Sequence, residues 1–335
     1  MATPVNIIQV GLGPIGIETA RRAAARPELR LAGGVDTSPA LAEQKLADVL
    51  GDEAAVGGTV ASNLQEALET FEPEVALVAT TSDLASVAPT LKELLLAGVH
   101  VVSTCEELLY PWIRHPELAR EIDEAGVAGS AACVGLGINP GFVLDFLPLV
   151  LTGPVDRVES IKAWRVVDAG SRRGPLQRKI GAGLTKEEFE QRVAEGGIGH
   201  RGMEESLHLV CRALGVELLG ASSFIRPILA EEDVETEVVR VPAGRVAGIH
   251  QGAEDRDGRV VLDLKMSVGA RDPQDRIEIT GQPEVRAVIE GGYQGDRSTC
   301  AAALNAVPSV IDAKPGLRTL LDLPLIHARS LVPLD

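Results

Sequence analysis

Asn6-Ile-Ile-Gln-Val10-Gly11-Leu12-Gly13-Pro14-Ile15-Gly16-Ile17-Glu18-Thr19-Ala20 is the stretch that decides the fold. Residues 6–10 are a short apolar run of strand length, three glycines follow in the pattern G-x-G-x-x-G, and a helical pattern then runs to Arg26 before Pro27. Strand, glycine turn and helix come in the order that a dinucleotide-binding unit requires. Gly11 permits the tight turn, Gly13 lets a pyrophosphate approach the backbone, and Gly16 lets the helix pack closely, while the helix N-terminus stabilises phosphate charge. Gly11, Gly13, Pro14, Ile15 and Gly16 are therefore the first candidate cofactor-binding set.

Working outward, the apolar segment Leu29–Val35 ends in Asp36. An acid here accepts from the ribose hydroxyls and repels a 2′-phosphate, and no Arg follows until Arg114, so NAD is favoured and NADP stays possible. The alternative is a helix-capping Asp before Thr37-Ser38. A helix is predicted over 40–50, a buried strand over 75–79, a helix over 91–97, a strand from Val99, a helix over 117–125 and a strand over 127–133. Strands alternating with helices at these spacings imply an α/β fold with a doubly wound parallel sheet, a Rossmann domain covering residues 1–135. Thr80-Thr81-Ser82 follow one strand and either line the cofactor's ribose and nicotinamide or cap the next helix.

The strand from Val99 ends in Cys105-Glu106-Glu107. Neighbouring carboxylates leaving a strand point in different directions, so one of Glu106 and Glu107 is expected at the reacting centre and the other as a cap or contact. Glu106 is preferred as the catalytic residue. A carboxylate there can stabilise an iminium and move a proton from an ammonium or a water. Cys105 is a cofactor-binding candidate by position alone.

Beyond residue 135 the pattern changes. Segments 158–167, 234–241, 245–250, 260–268 and 276–280 alternate with a period of two, and helices are predicted over 185–195, with the capping box Thr185-Lys-Glu-Glu188, and over 203–214. This describes a second, α+β domain over 136–300 on a largely antiparallel sheet, with 301–335 packing back on the first domain. Gly135–Gly141 and Gly291–Gly295 are the hinge candidates. Asn139-Pro140-Gly141-Phe142 at the crossover is either a substrate cradle or a plain hinge. Trp164 and His200, the latter among glycines 196–202, are further substrate-side candidates, and Asn305, a polar residue inside an apolar helix that needs a partner, is a cofactor-binding candidate.

Composition bounds the partners. The chain has 335 residues, 45% hydrophobic and 24% charged, with 32 basic against 48 acidic residues and a net charge of −16. That excess disfavours nucleic acid and anionic membrane and leaves a small molecule as the expected partner. No basic n-region or membrane-length apolar run is present, which implies a cytoplasmic protein. The four cysteines, Cys105, Cys133, Cys211 and Cys300, are widely spaced, so neither a metal site nor a disulfide framework is expected.

Taken together, Gly11–Gly16, Ser103-Thr-Cys-Glu-Glu-Leu108, Gly137-Ile-Asn-Pro-Gly-Phe142, Gly199-His-Arg-Gly-Met-Glu-Glu-Ser206, Gln294-Gly-Asp-Arg-Ser-Thr299, Asn305-Ala-Val-Pro308 and Pro315-Gly-Leu317 resemble the 2,4-diaminopentanoate dehydrogenase and native amine dehydrogenase family. The resemblance spans nearly the whole chain. It implies a first domain similar to dihydrodipicolinate reductase, a second domain carrying homodimer contacts, and NAD(P)-linked interconversion of an amine with a ketone or aldehyde plus ammonia. It also implies a catalytic glutamate at Glu106 or, one residue on, Glu107. Dihydrodipicolinate reductases carry a paired-His motif with a Lys, and related sugar dehydrogenases place Glu-Lys-Pro after this strand; this chain has neither. Two alternatives stand beside the amine reading: a carbonyl or cyclic-imine reductase that needs no ammonia, and an NAD-binding sensor without turnover. A substrate carboxylate would need a cation, with Arg165, Arg172, Arg173 and Arg201 as candidates.

Overall fold

The apolar run before the glycines is strand β1 (Val5–Val10), and the chain alternates from there through α1 (Pro14–Ala24), β2 (Leu29–Val35), α2 (Leu46–Leu50), β3 (Val60–Ala61), α3 (Leu64–Phe71), β4 (Val75–Val78), α4 (Leu84–Leu96), β5 (His100–Ser103), α5 (Pro116–Gly129) and β6 (Ala132–Gly135). These elements belong to a computed structural model that describes residues 3–51, 57–218 and 220–329. The chain divides into two units, residues 1–141 with 294–335, and residues 142–293. One division falls at the end of Gly135–Gly141 and the other inside Gly291–Gly295. The division expected near 300 lies instead at 293/294, because 295–311 form one continuous helix that belongs whole to the first unit.

In the first unit the strand order is β3-β2-β1-β4-β5-β6-β15, all parallel, with β15 (Gly316–Arg318) reached through a long helix, α10 (Gly295–Ile311). Parallel strands covered on both faces read as unbroken apolar runs. Val75-Ala-Leu-Val78 is such a run, and all four residues are buried. Ile8, Val10, Val78 and Val101 pack there with Leu84, Leu91 and Leu95 of α4 and Ile122 of α5. Asn63 caps α3 by accepting from the Glu66 amide, and Asp83 caps α4 by accepting from the Ser86 amide.

Several boundaries differ from the sequence reading: α4 starts at Leu84 rather than 91, and the segment expected over 234–241 forms two short strands, paired with each other in a sheet of their own. The helix expected over 40–50 is confined to α2, because the Glu43 amide donates to the Val60 carbonyl and the Val60 amide to the Gln44 carbonyl, both at 2.9 Å. Pairing with a distant segment thus overrides local helix propensity. The strand expected from Val127 begins at Ala132, since α5 continues to Gly129 and stops at Ser130 in the left-handed region, φ 58°.

The second unit contains α6 (Phe146–Leu151), β7 (Arg157–Asp168), α7 (Gly174–Lys179), α8 (Lys186–Ala194), α9 (Met203–Ala213), β8 (Ser222–Leu229), β9 (Val234–Glu235), β10 (Arg240–Val241), β11 (Val246–Glu254), β12 (Val260–Ser267), β13 (Gln274–Gln282) and β14 (Val285–Glu290). Its six-stranded sheet runs β14-β13-β7-β12-β11-β8, antiparallel except for the β7–β12 pair. The expected capping box at Thr185 and Glu188 is present on α8. One face of this sheet, with Ile161, Ala163, Leu262, Leu264, Ile249 and Ile277, is buried. The other carries Lys162, Trp164, Asp263, Lys265, Arg276 and Glu278, half-buried to exposed.

Gly16 is a tightly packed point of the first unit: a Cβ on it would lie 1.9 Å from the Gly11 carbonyl oxygen. Gly16→Ala is therefore expected to lower stability by about 1–3 kcal/mol through overpacking, read as a lower urea midpoint at unchanged m-value.

Candidate active site

The first sheet reverses its winding between β1 and β4, and in open parallel sheets ligands bind beyond the carboxyl ends of the strands at that point. Gly11, at φ +85°, follows β1 there, and its amide donates to the Val35 carbonyl at the end of β2 at 2.8 Å. A Cβ on Gly11 would meet the Ala79 carbonyl oxygen at 2.7 Å, so the turn lies directly against the segment that follows β4. Gly13 is the N-cap of α1, with no side-chain cap and no acid in the first turn, and nothing lies within 4 Å of where its Cβ would be. An open backbone at the head of a helix whose first amides have no side-chain acceptor is a cradle for a phosphate. Pro14 occupies the first turn, and Ile15 gives its carbonyl to the Thr19 hydroxyl at 2.8 Å. The residues present fit a dinucleotide.

Asp36 tightens this loop. Its Oδ2 accepts from the Leu12 amide at 2.7 Å and its Oδ1 from the Ser38 amide at 2.9 Å. Asp36 caps no helix, since α2 starts only at Leu46 with Lys45 as its N-cap; its bond to the Ser38 amide is a turn contact, and it lies beside the glycine turn. Each carboxylate oxygen can accept a further bond, so the hydroxyls of a ribose fit the same group. Thr80, Thr81 and Ser82 come next along the edge; Thr81 Oγ1 accepts from the Asp83 amide at 3.2 Å, and the cap of α4 is Asp83 itself.

After β5 the two glutamates start a 3-10 turn, Glu106–Leu109. Glu107 turns inward and is 8% exposed; its Oε2 accepts from the Leu84 amide, the first of α4, at 2.9 Å and faces His115 Nε2 at 3.2 Å. It satisfies an amide that a helix start leaves without an intrahelical partner. Glu106 stands half-buried at the head of the turn. Cys105 is buried, with Sγ 3.3 Å from the Ser82 carbonyl oxygen, and burial pushes its thiol up to about 12, so it stays protonated near neutral pH. His100 lies at the opposite end of β5, where Nδ1 accepts from the Ala132 amide at 3.1 Å and burial lowers its pKa; it serves the fold.

Following β6, Asn139 and Pro140 are joined by a cis peptide bond, and Gly141 has φ +118°. Residues 140–145 form turns, and the helix that follows begins at Phe146, capped by Asp145. The Ile138 amide donates to Thr299 Oγ1 on α10 at 3.3 Å, and Asn305 is half-buried further along that helix. The edge of the first sheet thus gathers Gly11–Gly16, Asp36, Thr80–Ser82 and Cys105–Glu106.

Phe142, Trp164 and His200 belong to the second unit. Phe142 meets Tyr293 edge to face at 5.6 Å. Trp164 lies on the open face of its sheet, with the Arg276 guanidinium 5.4 Å from its ring centre. The His200 backbone is held by the Gln251 side chain, with both bonds at 2.8 Å. Arg165, a candidate carboxylate partner, is 2% exposed and engages Asp275 and the Tyr293 carbonyl. Two residues that the sequence reading passed over, His115 and Gln251, hold residues it singled out. Neither carries a local signal, because their partners are eight and 51 positions away.

Residues 142–331 match the family model of the 2,4-diaminopentanoate dehydrogenase C-terminal domain. The chain belongs to the 2,4-diaminopentanoate dehydrogenase family. It is an oxidoreductase. The 2,4-diaminopentanoate dehydrogenase of Acetoanaerobium sticklandii is 28% identical over 97% of this chain and 94% of its own length. The solved structure of an amine dehydrogenase from Mycobacterium smegmatis shares the fold with a TM-score of 0.84 at 24% identity, covering 98% of each chain. A dihydrodipicolinate reductase from Paenisporosarcina sp. TG-14 aligns with a TM-score of 0.51 at 13% identity over 96% of this chain and 99% of its own. The scyllo-inositol dehydrogenase of Lactobacillus casei, solved with bound NAD(H) and scyllo-inositol, aligns with a TM-score of 0.57 at 13% identity over 91% and 89%. The expected architecture, a Rossmann sheet joined to a second domain on a dihydrodipicolinate reductase-like plan, is the observed one. Among the described residues no helix is long and apolar enough to cross a membrane, and no group of three or more His, Cys, Asp or Glu is arranged for a metal ion.

Glu107→Ala leaves the Leu84 amide without its acceptor and is expected to cost about 1–3 kcal/mol in urea unfolding, whereas Glu107→Gln keeps an acceptor oxygen and costs less.

Proposed function

We propose that the chain is an NAD-dependent amine dehydrogenase in which Glu106 is the catalytic acid/base. The choice of Glu106 is supported by the engagement of Glu107, whose Oε2 accepts from the Leu84 amide and faces His115, while Glu106 stands at the head of the 3-10 turn. Amine chemistry is supported by family membership and by the relative named for an amine substrate. The cofactor is supported by the open glycine turn and by the fold neighbour solved with NAD(H). Asp36 beside that turn favours NAD over NADP.

The net change is protonated amine, NAD+ and water to carbonyl, ammonium, NADH and one proton. A bound nicotinamide supplies or accepts the hydride. In the amination direction Glu106, protonated, gives its proton to the departing hydroxyl as carbonyl and ammonia condense; ionised, it stabilises the resulting iminium. In the reverse direction the same carboxylate takes a proton from the water that hydrolyses the iminium. Asn139, Pro140, Gly141, Phe142 and His200 are proposed on the substrate side. Purified protein with NADH, ammonium and a panel of small ketones and aldehydes is expected to oxidise NADH only when carbonyl and ammonium are both present. Equal rates without ammonium would make it a carbonyl or imine reductase instead. Glu106→Gln is expected to lower kcat by about 10²–10⁴-fold with NADH binding retained in fluorescence titration.

We also propose that the chain works as a homodimer through the open face of the second sheet, with Trp164 at its centre. Six strands spaced about 4.8 Å apart, eight residues long at about 3.3 Å each, present roughly 750 Å², close to the roughly 800 Å² per partner of a stable interface. Residues of both signs, Arg226, Lys265, Arg276 and Arg286 with Asp263 and Glu278, surround Trp164, Val166 and Val288 on this face, which suits a self-complementary two-fold contact. Trp164→Glu is expected to shift the mass in light scattering from dimer to monomer; an unchanged dimer would place the contact elsewhere.

A further inference from the structure

One residue of β1 interrupts its apolar run. Gln9 stands between Ile8 and Val10 and is wholly buried. Its Nε2 donates to the Val10 carbonyl and to the Gly11 carbonyl, both at 3.2 Å. Both partners can only accept, so the nitrogen is the atom that must face them, and the orientation of the amide follows. Its Oε1 is buried with no partner among the described residues. An unmet buried acceptor lowers stability, and an apolar side chain of the same size would avoid that loss. Gln9 therefore contributes through its donor, and the donor goes to the glycine turn.

Successive carbonyls of a strand point to opposite sides. Those of Val10 and Gly11 converge on one nitrogen, which marks the end of β1 and the start of the turn, where Gly11 has φ +85°. The Gly11–Leu12 peptide is then held at both ends. Its carbonyl accepts from Gln9 on the core side, where Gly16 of α1 also closes on it, and its N–H, that of Leu12, donates to Asp36 Oδ2 at 2.7 Å. A peptide unit is planar, so fixing the direction of its carbonyl fixes the direction of its N–H as well. Gln9 thus acts on Asp36 through one rigid plane.

Resting on the reading of the glycine turn as an NAD site, we propose that Gln9 is a positioning residue for cofactor selection. By holding the Gly11–Leu12 peptide it keeps the Asp36 carboxylate where ribose hydroxyls are accepted and a 2′-phosphate is repelled. This role needs no contact between Gln9 and the cofactor.

The test is a fluorescence titration of NADH and of NADPH with the parent, Gln9→Met, Asp36→Ala and the double variant. Methionine keeps the length and bulk of glutamine and removes the donor. The parent is expected to bind NADH more tightly than NADPH. Gln9→Met is expected to weaken NADH binding about tenfold, the loss of one charge-assisted hydrogen bond, and to lower the preference over NADPH by about the same factor. In the Asp36→Ala background the same substitution is expected to leave the preference unchanged, because the group through which it acts is gone. A merely structural Gln9 lowers the urea midpoint and weakens both cofactors alike, which overturns the proposal, as does a preference that falls equally with and without Asp36. Gln9→Asn keeps the amide but is one methylene short of the Gly11 carbonyl, and it gives the same readout where Gln9→Met does not fold. A parent that binds neither cofactor, or both alike, overturns the NAD reading together with this proposal. A parent that prefers NADH, with Gln9→Met at the parent's ratio, overturns this proposal alone.

Discussion

The Gly11 carbonyl oxygen occupies the place where any side chain on Gly16 would have to go, 1.9 Å from an added Cβ. Everything on the carboxyl edge of the first sheet follows from that approach. It lets α1 start immediately after β1, with its N-terminal amides uncovered at Gly13 and the turn itself locked between the ends of β2 and β4. Asp36 is drawn to the same loop because the Leu12 amide needs an acceptor. A backbone contact too close for a side chain therefore fixes both the helix origin and the acid beside it, and the phosphate cradle is a by-product of packing.

The sequence showed the central strands clearly and the sheet margins poorly. β1, β4 and β5 are covered on both faces, so they read as apolar runs flanked by turn residues. The strands that escaped notice, β3, β15, β8 and β14, are the outermost strands of the two sheets. An outer strand pairs on one side only and tolerates residues that a central strand would reject. Pro227 inside β8 is an instance, because proline lacks the N–H that a central strand needs and is tolerated on an outer one. The helix over 40–50 was misread for the converse reason: its polar, alanine-rich sequence suits a helix, yet its backbone is taken up by residues 58–60.

For the site, residue types were legible and directions were not. Two successive acids after β5 could be read as functional, but their division of labour depends on a 3-10 turn and on Leu84 and His115, neither of which leaves a trace in the spacing. The same holds for His200, whose glycine setting is visible while the glutamine that holds it sits on a strand read only as alternating. Side chains that act on a distant backbone carry no periodic signature.

The register of the second sheet places Asp275, Arg165, Leu264, Gln251 and Ile225 side by side across five strands. On this single rung Asp275 and Arg165 grip the backbone of Tyr293, and Gln251 grips that of His200. Shifting any one of these strands by one residue would move its polar group to the opposite face and bring a neighbour of the wrong character inside. Strand alignment and loop placement are thus checked by the same side chains, and a misaligned sheet would announce itself as an unanchored histidine loop before any chemistry was attempted.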